Sequence, residues 1–192
     1  MVSADGFPPG CALIEVRVTE LKQLFNSLDP TPFRERDLDP KAEEFIAGWA
    51  REIPAEQPLG LRIHIDRDSV PTEELAVVRD AVRDYFSHRA KARRLEVRLL
   101  FQRGRVSLAI GLAFLAAAIV GGDVAATLLR DTRFESLARE SLMIGGWVAM
   151  WRPLEVFLYD WWPIQSEARL FDRLSAMTVM AVARSAEGWR SS

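Results

Sequence analysis

The chain has 192 residues, 27% of them charged and 49% apolar, with 25 basic against 27 acidic side chains and a formal charge of −2. That near-neutral balance argues against nucleic acid as a general partner, and the charged fraction is too high for a polytopic transporter, most of which would face lipid. Its only cysteine, Cys11, rules out an intrachain disulfide or a cysteine cluster for zinc, and no metal or cofactor is expected. The first ten residues have neither the basic start nor the apolar run of a cleavable signal, so membrane targeting is expected to rest on a later segment.

Ile14, Val16 and Val18 alternate with Glu15, Arg17 and Thr19, the period of a half-buried strand. A Pro-punctuated connector over 27–33 should be turned or extended. Asp39 and Pro40 then open a helix, as cap and first helical residue. Ala42, Phe45, Ile46, Trp49 and Ala50 give this helix one apolar face, bounded by Pro54. A second strand follows, with Leu59, Leu61, Ile63 and Ile65 alternating with Gly60, Arg62, His64 and Asp66. Strand, helix and strand with short joins predict a small βαβ unit with parallel strands. Pro71 starts the next helix, with Glu73 and Glu74 in its first turn and Leu75, Val78, Val82, Tyr85 and Phe86 as its apolar stripe.

Between Arg105 and Asp123 there is no charged residue and a single hydroxyl, that of Ser107. At ~1.5 Å per residue such a helix matches a hydrocarbon core of ~30 Å. The expected fold is therefore an α+β membrane protein. Residues 1–104 form a cytoplasmic α/β domain with a basic juxtamembrane helix. Residues 105–163 form a transmembrane helical hairpin with spans at 106–129 and 141–162. Residues 164–192 form a tail that returns to the domain, with a candidate third strand from Thr178 to Ala183. Arg89, Lys91, Arg93, Arg94, Arg98, Arg103 and Arg105 precede the first span, whereas Arg130, Arg133 and Arg139 in the connecting region are diluted by Asp131, Glu135 and Glu140. The excess of inner-side cations puts both termini in the cytoplasm of a multi-pass protein.

Small residues recur every four positions at Ala109, Ala113, Ala117 and Gly121, and again at Ser141, Gly145 and Ala149. In lipid such ridges are candidates for close helix packing, either inside one chain or between subunits. Arg152 and Glu155 stand one helical turn apart near the middle of the second span, and Asp123 lies in the first, nearer the outer face. These three are the candidates for an intramembrane polar site, with an interfacial pair at a Pro153 kink as the alternative. Trp147 and Trp151 lie in the same span. Tyr159, Trp161 and Trp162 read as an aromatic interface belt. Arg93, Arg94, Arg98, Arg103 and Arg105 should attract anionic lipid headgroups, with about 1 kcal/mol available per suitably placed cation.

Catalytic signals are poor. His64 and His88 lack the neighbours of a metal site or triad. Asp29, Asp37 and Asp39 are explained by turns and helix capping. No phosphate-binding glycine loop is present, because the Gly121-Gly122 and Gly145-Gly146 pairs lie in apolar helices. No catalytic residue is nominated.

Asp29-Pro-Thr-Pro-Phe33 followed by Asp37-Leu-Asp39, and Tyr159-Asp-Trp-Trp-Pro163 followed by Arg169-Leu-Phe-Asp-Arg173, resemble a group of uncharacterised bacterial two-span membrane proteins. The likeness covers most of the chain from about residue 13 to 183. It implies a bacterial cytoplasmic-membrane location and supplies no activity. The expected function is a membrane-anchored interaction or scaffold protein that assembles with itself or with a membrane protein partner. The alternative is a small oligomeric channel or transport accessory using the intramembrane charges. An enzyme acting on lipid at the inner interface is a third reading, requiring Asp29, Asp37, Asp39 and His64 to converge.

Overall fold

Three parallel strands organise the first of two units in the computed structural model, which describes residues 6–26, 37–66, 71–128 and 134–183. This unit draws on 1–92 and 167–192, and the second comprises Arg93–Ser166. The strands β1 (Ala12–Val18), β2 (Leu59–Ile65) and β3 (Thr178–Ala183) lie in that order, with Ile14 opposite Leu61 and Leu61 opposite Val179. The period of two sends Ile14, Leu61, Ile63 and Ile65 inward, where each is at most 1% exposed. Glu15 and Arg62 share the opposite face and are bonded at 3.1 Å. The C-terminal segment thus supplies the third strand, and the mixed α/β class holds.

A short 3₁₀ turn (Leu21–Leu24) precedes α1 (Pro40–Glu52). The Lys41 backbone N–H donates to the Asp39 carboxylate at 2.9 Å, and Pro40 needs no donor at the first helical position. Ile46, Ala47 and Ala50 are buried, but Phe45 and Trp49 are 46% and 51% exposed. The apolar stripe is wider than the surface it covers. Small Ala47 and Ala50 face the core, and the two large rings are left at the margin.

Helix α2 (Thr72–Leu128) runs through Gly104 without a break. In the first unit it buries Val78, Ala81, Val82, Phe86 and Ala90. The final helix, α4 (Trp161–Ser175), adds Ala168, Leu170, Phe171 and Leu174 to the same core, where the rings of Phe86 and Phe171 stack at 6.1 Å. The Arg173 guanidinium donates to the carbonyls of Ile53, Pro54 and Gln57 at 3.4, 2.7 and 3.2 Å. It thereby satisfies three acceptors in the loop that follows α1.

In the second unit α3 (Phe134–Glu155) passes through a π turn (Val156–Asp160) directly into α4. Pro163 lies inside α4, at its third residue. A proline ring collides with the carbonyl four residues earlier, which here is Tyr159 in the π turn. Widening of the backbone there relieves that collision, and the Trp161 indole N–H donates to the Phe157 carbonyl at 2.9 Å.

Helices α2 and α3 pack antiparallel within this unit. Gly104 meets Val156 and Phe157, Gly111 meets Met150 and Pro153, Gly146 meets Leu115 and Ala118, and Gly122 meets Arg139. Pro153 has no N–H for the carbonyl of Ala149. That carbonyl lies 3.4 Å from where a side chain on Gly111 would begin, so glycine makes room for it. Among the described residues one helix, α2, is long and apolar enough to cross a membrane, where two spans were expected. Arg152, Glu155 and Asp160 interrupt the apolar run of the second.

Candidate functional site

The most fully bonded polar cluster in the first unit joins α1 to α2. Tyr85 donates its hydroxyl proton to Glu43 Oε2 at 2.6 Å, and Arg89 donates from Nε and Nη2 to the same carboxylate at 2.9 and 2.7 Å. Arg89 also lies over the rings of Tyr85 and Phe171, 5.8 and 6.0 Å from their centroids. Burial, then the bond to Glu43, raises the Tyr85 pKa above its ordinary value. The bond to Glu43 likewise raises that of Arg89. Both carboxylate oxygens are occupied and the phenol holds its proton tightly, so the cluster is a fastener rather than a general base. Sequence reasoning missed it by counting Tyr85 only as part of an apolar stripe. The one available signal was Arg89, four residues on, beside a tyrosine at the stripe's edge.

In the second unit the charged and aromatic candidates gather at one level. Arg152 is bonded to Glu155 at 3.0 Å and pairs with Asp160 at 3.4 Å, while the Trp151 indole donates to the other Glu155 oxygen at 3.0 Å. Because Pro153 meets Gly111 and Val156 meets Gly104, this group stands within roughly two helical turns of Arg105, at one end of the apolar stretch. The Phe101 ring touches those of Phe157 and Trp161 at 5.7 and 6.2 Å. Trp161 is therefore level with the basic part of α2, and Tyr159 and Trp162 on the same segment are largely exposed. Arg93 pairs with Glu96 at 2.7 Å. Arg94, Arg98, Arg103 and Arg105 are exposed. At the other end Asp123 and Arg139 approach to 3.8 Å, so Asp123 does not join Arg152 and Glu155.

The small-residue ridges lie largely outside the α2–α3 seam. Ala109, Ala113, Ala117 and Ser141 are exposed, and nothing stands within 4 Å of a side chain built on Gly145. Gly121 faces Leu142, and Ala149 meets Gly111 through its carbonyl. The seam inside the chain uses Gly104, Gly111, Leu115, Ala118 and Gly146 instead.

His64 Nε2 is 3.6 Å from Glu15 Oε2 and has no hydrogen-bond partner among the described residues. His88 is exposed on α2. Burial raises the thiol pKa of Cys11 above its ordinary value, which lowers its thiolate fraction without closing it to a thiol reagent. Asp39 caps α1, Asp37 is exposed beside it, and Asp29 with its Pro-rich motif lies outside the described residues. Among the described residues no group of three or more His, Cys, Asp or Glu side chains could hold a metal ion. No protein-family model, curated protein or solved structure matches the chain.

Proposed function

We propose that this chain is a membrane-anchored interaction protein. In this reading α2 and α3 cross a bacterial cytoplasmic membrane together as a hairpin, and the α/β unit offers a partner-binding or self-assembly surface on the cytoplasmic side. One observation carries the reading. Val106, Ile110, Phe114 and Val120 on α2, with Ile144, Trp147 and Val148 on α3, are each more than half exposed although large and apolar. In water so much uncovered apolar surface drives aggregation, whereas hydrocarbon accepts it and both helices satisfy their own backbones.

The charges fit the same picture. From Arg105 to Asp123 the helix rises about 27 Å, close to a bilayer's hydrocarbon thickness. Arg152 pairs with both Glu155 and Asp160 near one boundary, leaving one net negative charge where three separate charges would otherwise stand, which lowers the penalty for charge on this segment. The likeness to bacterial two-span proteins and the cluster of cations before 106 support the location and the cytoplasmic termini. The exposed Phe45–Trp49 pair on α1, with ring centroids 6.3 Å apart, is the candidate contact surface on the first unit. The channel alternative has no observation of its own in its favour, since its charges are satisfied locally.

Ultracentrifugation of lysed cells tests the anchor. The full chain should sediment with membranes, resist an alkaline carbonate wash and be released by mild detergent. Recovery in the supernatant without detergent would overturn the reading. Mass measurement in detergent tests assembly, where a particle larger than one chain is expected. A strict monomer that retains no membrane protein partner would remove the interaction part.

A further inference from the structure

We propose that the α2 face formed by Leu99, Gln102, Arg103, Val106, Ser107 and Ile110 binds one anionic phospholipid, with its phosphate at Arg103 and an acyl chain along Val106 and Ile110. This rests on the membrane-anchor reading and adds to it a defined site and a lipid class. The six residues are spaced i, i+3, i+4, i+7, i+8 and i+11, so they share one side of the helix. They line an open groove of about 450 Å³. Helix α3 covers a different side, through Gly104, Gly111, Leu115 and Ala118. The groove therefore faces whatever surrounds the unit, and Val106 and Ile110 are 59% and 66% exposed.

Gln102 and Arg103 are the polar part of the groove, flanked by Leu99 on one side; on the other, Val106 and Ile110 follow about 4.5 and 10.5 Å further along the axis from Arg103, with Ser107 between them. Arg98, Arg103 and Arg105 have no carboxylate partner among the described residues. Uncompensated positive charge beside exposed hydrocarbon side chains complements an amphiphile with an anionic head and an apolar tail. A second copy of the chain in the same orientation would instead bring like cations to the same level. The Gln102 amide and the Ser107 hydroxyl, which has no partner among the described residues, add neutral donors for phosphate or ester oxygens. Trp161 stands level with Gln102 and Arg103 through Phe101, at the depth where indole rings favour the headgroup boundary.

The test uses the full chain reconstituted in phosphatidylcholine vesicles, with spin-labelled phosphatidylglycerol or phosphatidylcholine as probe and the motionally restricted lipid as readout. Wild type should prefer the anionic probe. Arg103→Gln should lower that preference about fivefold, and Arg98→Gln and Arg105→Gln less. Ile110→Trp fills the groove without changing charge and should also reduce the restricted anionic lipid. Equal losses from all three arginine variants with Ile110→Trp silent, or no anionic preference in wild type, would overturn the site while leaving the anchor reading intact. Cross-linking of two copies through a cysteine at Ile110 would assign the groove to a second chain and overturn it as well. Failure of the protein to stay with carbonate-washed vesicles would instead overturn the anchor reading.

Discussion

The Tyr85 hydroxyl and the Glu43 carboxylate, 42 residues apart in the chain, meet at 2.6 Å and join α2 to α1. Arg89 occupies the same carboxylate through two more bonds, so Glu43 is the member on which the others depend. Glu43→Ala should destabilise the first unit by about 2–3 kcal/mol, because it strands a half-buried phenol and a guanidinium together. Tyr85→Phe should cost about 1 kcal/mol, since Arg89 still neutralises the carboxylate. Denaturant unfolding of both variants and their double mutant in detergent should give a coupling well above 0.5 kcal/mol. Additivity would mean that the bond contributes nothing.

The same bond sets a pH dependence. The folded pKa of Tyr85 lies above its unfolded value, so the contribution is complete below about pH 10, the ordinary tyrosine value. It is lost as pH rises toward the folded pKa, because the unfolded chain releases the proton first. Thermal scans from pH 8 to 11 should show the midpoint falling above pH 10. Tyr85→Phe should flatten that fall, and an unchanged slope would remove Tyr85 from the account.

Phe86 is fully buried and stacked on Phe171. Phe86→Ala should cost about 3–5 kcal/mol through lost burial and a residual cavity. Phe45→Ala, on the exposed margin of α1, should cost under 1 kcal/mol. Similar losses from the two would show that Phe45 is covered in the assembled protein.

Gly145 and Gly146 are neighbours with opposite surroundings. A side chain on Gly146 would begin 2.6 Å from Leu115, while one on Gly145 meets nothing. Gly146→Ile should therefore loosen the α2–α3 seam and increase protease susceptibility in detergent. Gly145→Ala should be neutral or stabilise by up to about 1 kcal/mol through helix propensity. Loss of assembly on Gly145→Ala with an intact fold would instead mark a contact between subunits.

The proposed orientation rests on the charge asymmetry about the first span and is open to labelling. A cysteine placed at Thr132, outside the described residues, should react with an impermeant maleimide on intact cells when Cys11 is replaced by serine. Native Cys11 should react only after permeabilisation. The reverse pattern would invert the orientation.

Both early strands were readable because alternation is local, and α1 was readable at its start because Asp39 and Pro40 act within one turn. The side of α1 that faces the core was not, since Phe45 and Ile46 are equally apolar and only the sheet decides between them. The ridge spaced by four in α2 does not coincide with the α2–α3 seam, for a geometric reason. Each step of four turns about 40° too far, so Ala109 and Ala117 drift off one line, whereas Gly104, Gly111, Leu115 and Ala118 stay on it. Of the charged candidates, pairing of Arg152 with Glu155 followed from their spacing. Their level beside Arg105 required the α3 register. The Glu43 cluster draws on two helices and had no local signature.

Because β2 is the middle strand and β3 is encoded after α2 and α3, the ribosome must make some 110 further residues, the greasy stretch among them, before the sheet can close. Until then one edge of β2 has no neighbour to bond with, an arrangement that invites pairing with other chains. In the proposed membrane-anchored reading, translocon engagement of α2 would thus precede completion of the sheet, and the order of synthesis would tie maturation of the α/β unit to arrival at the bilayer.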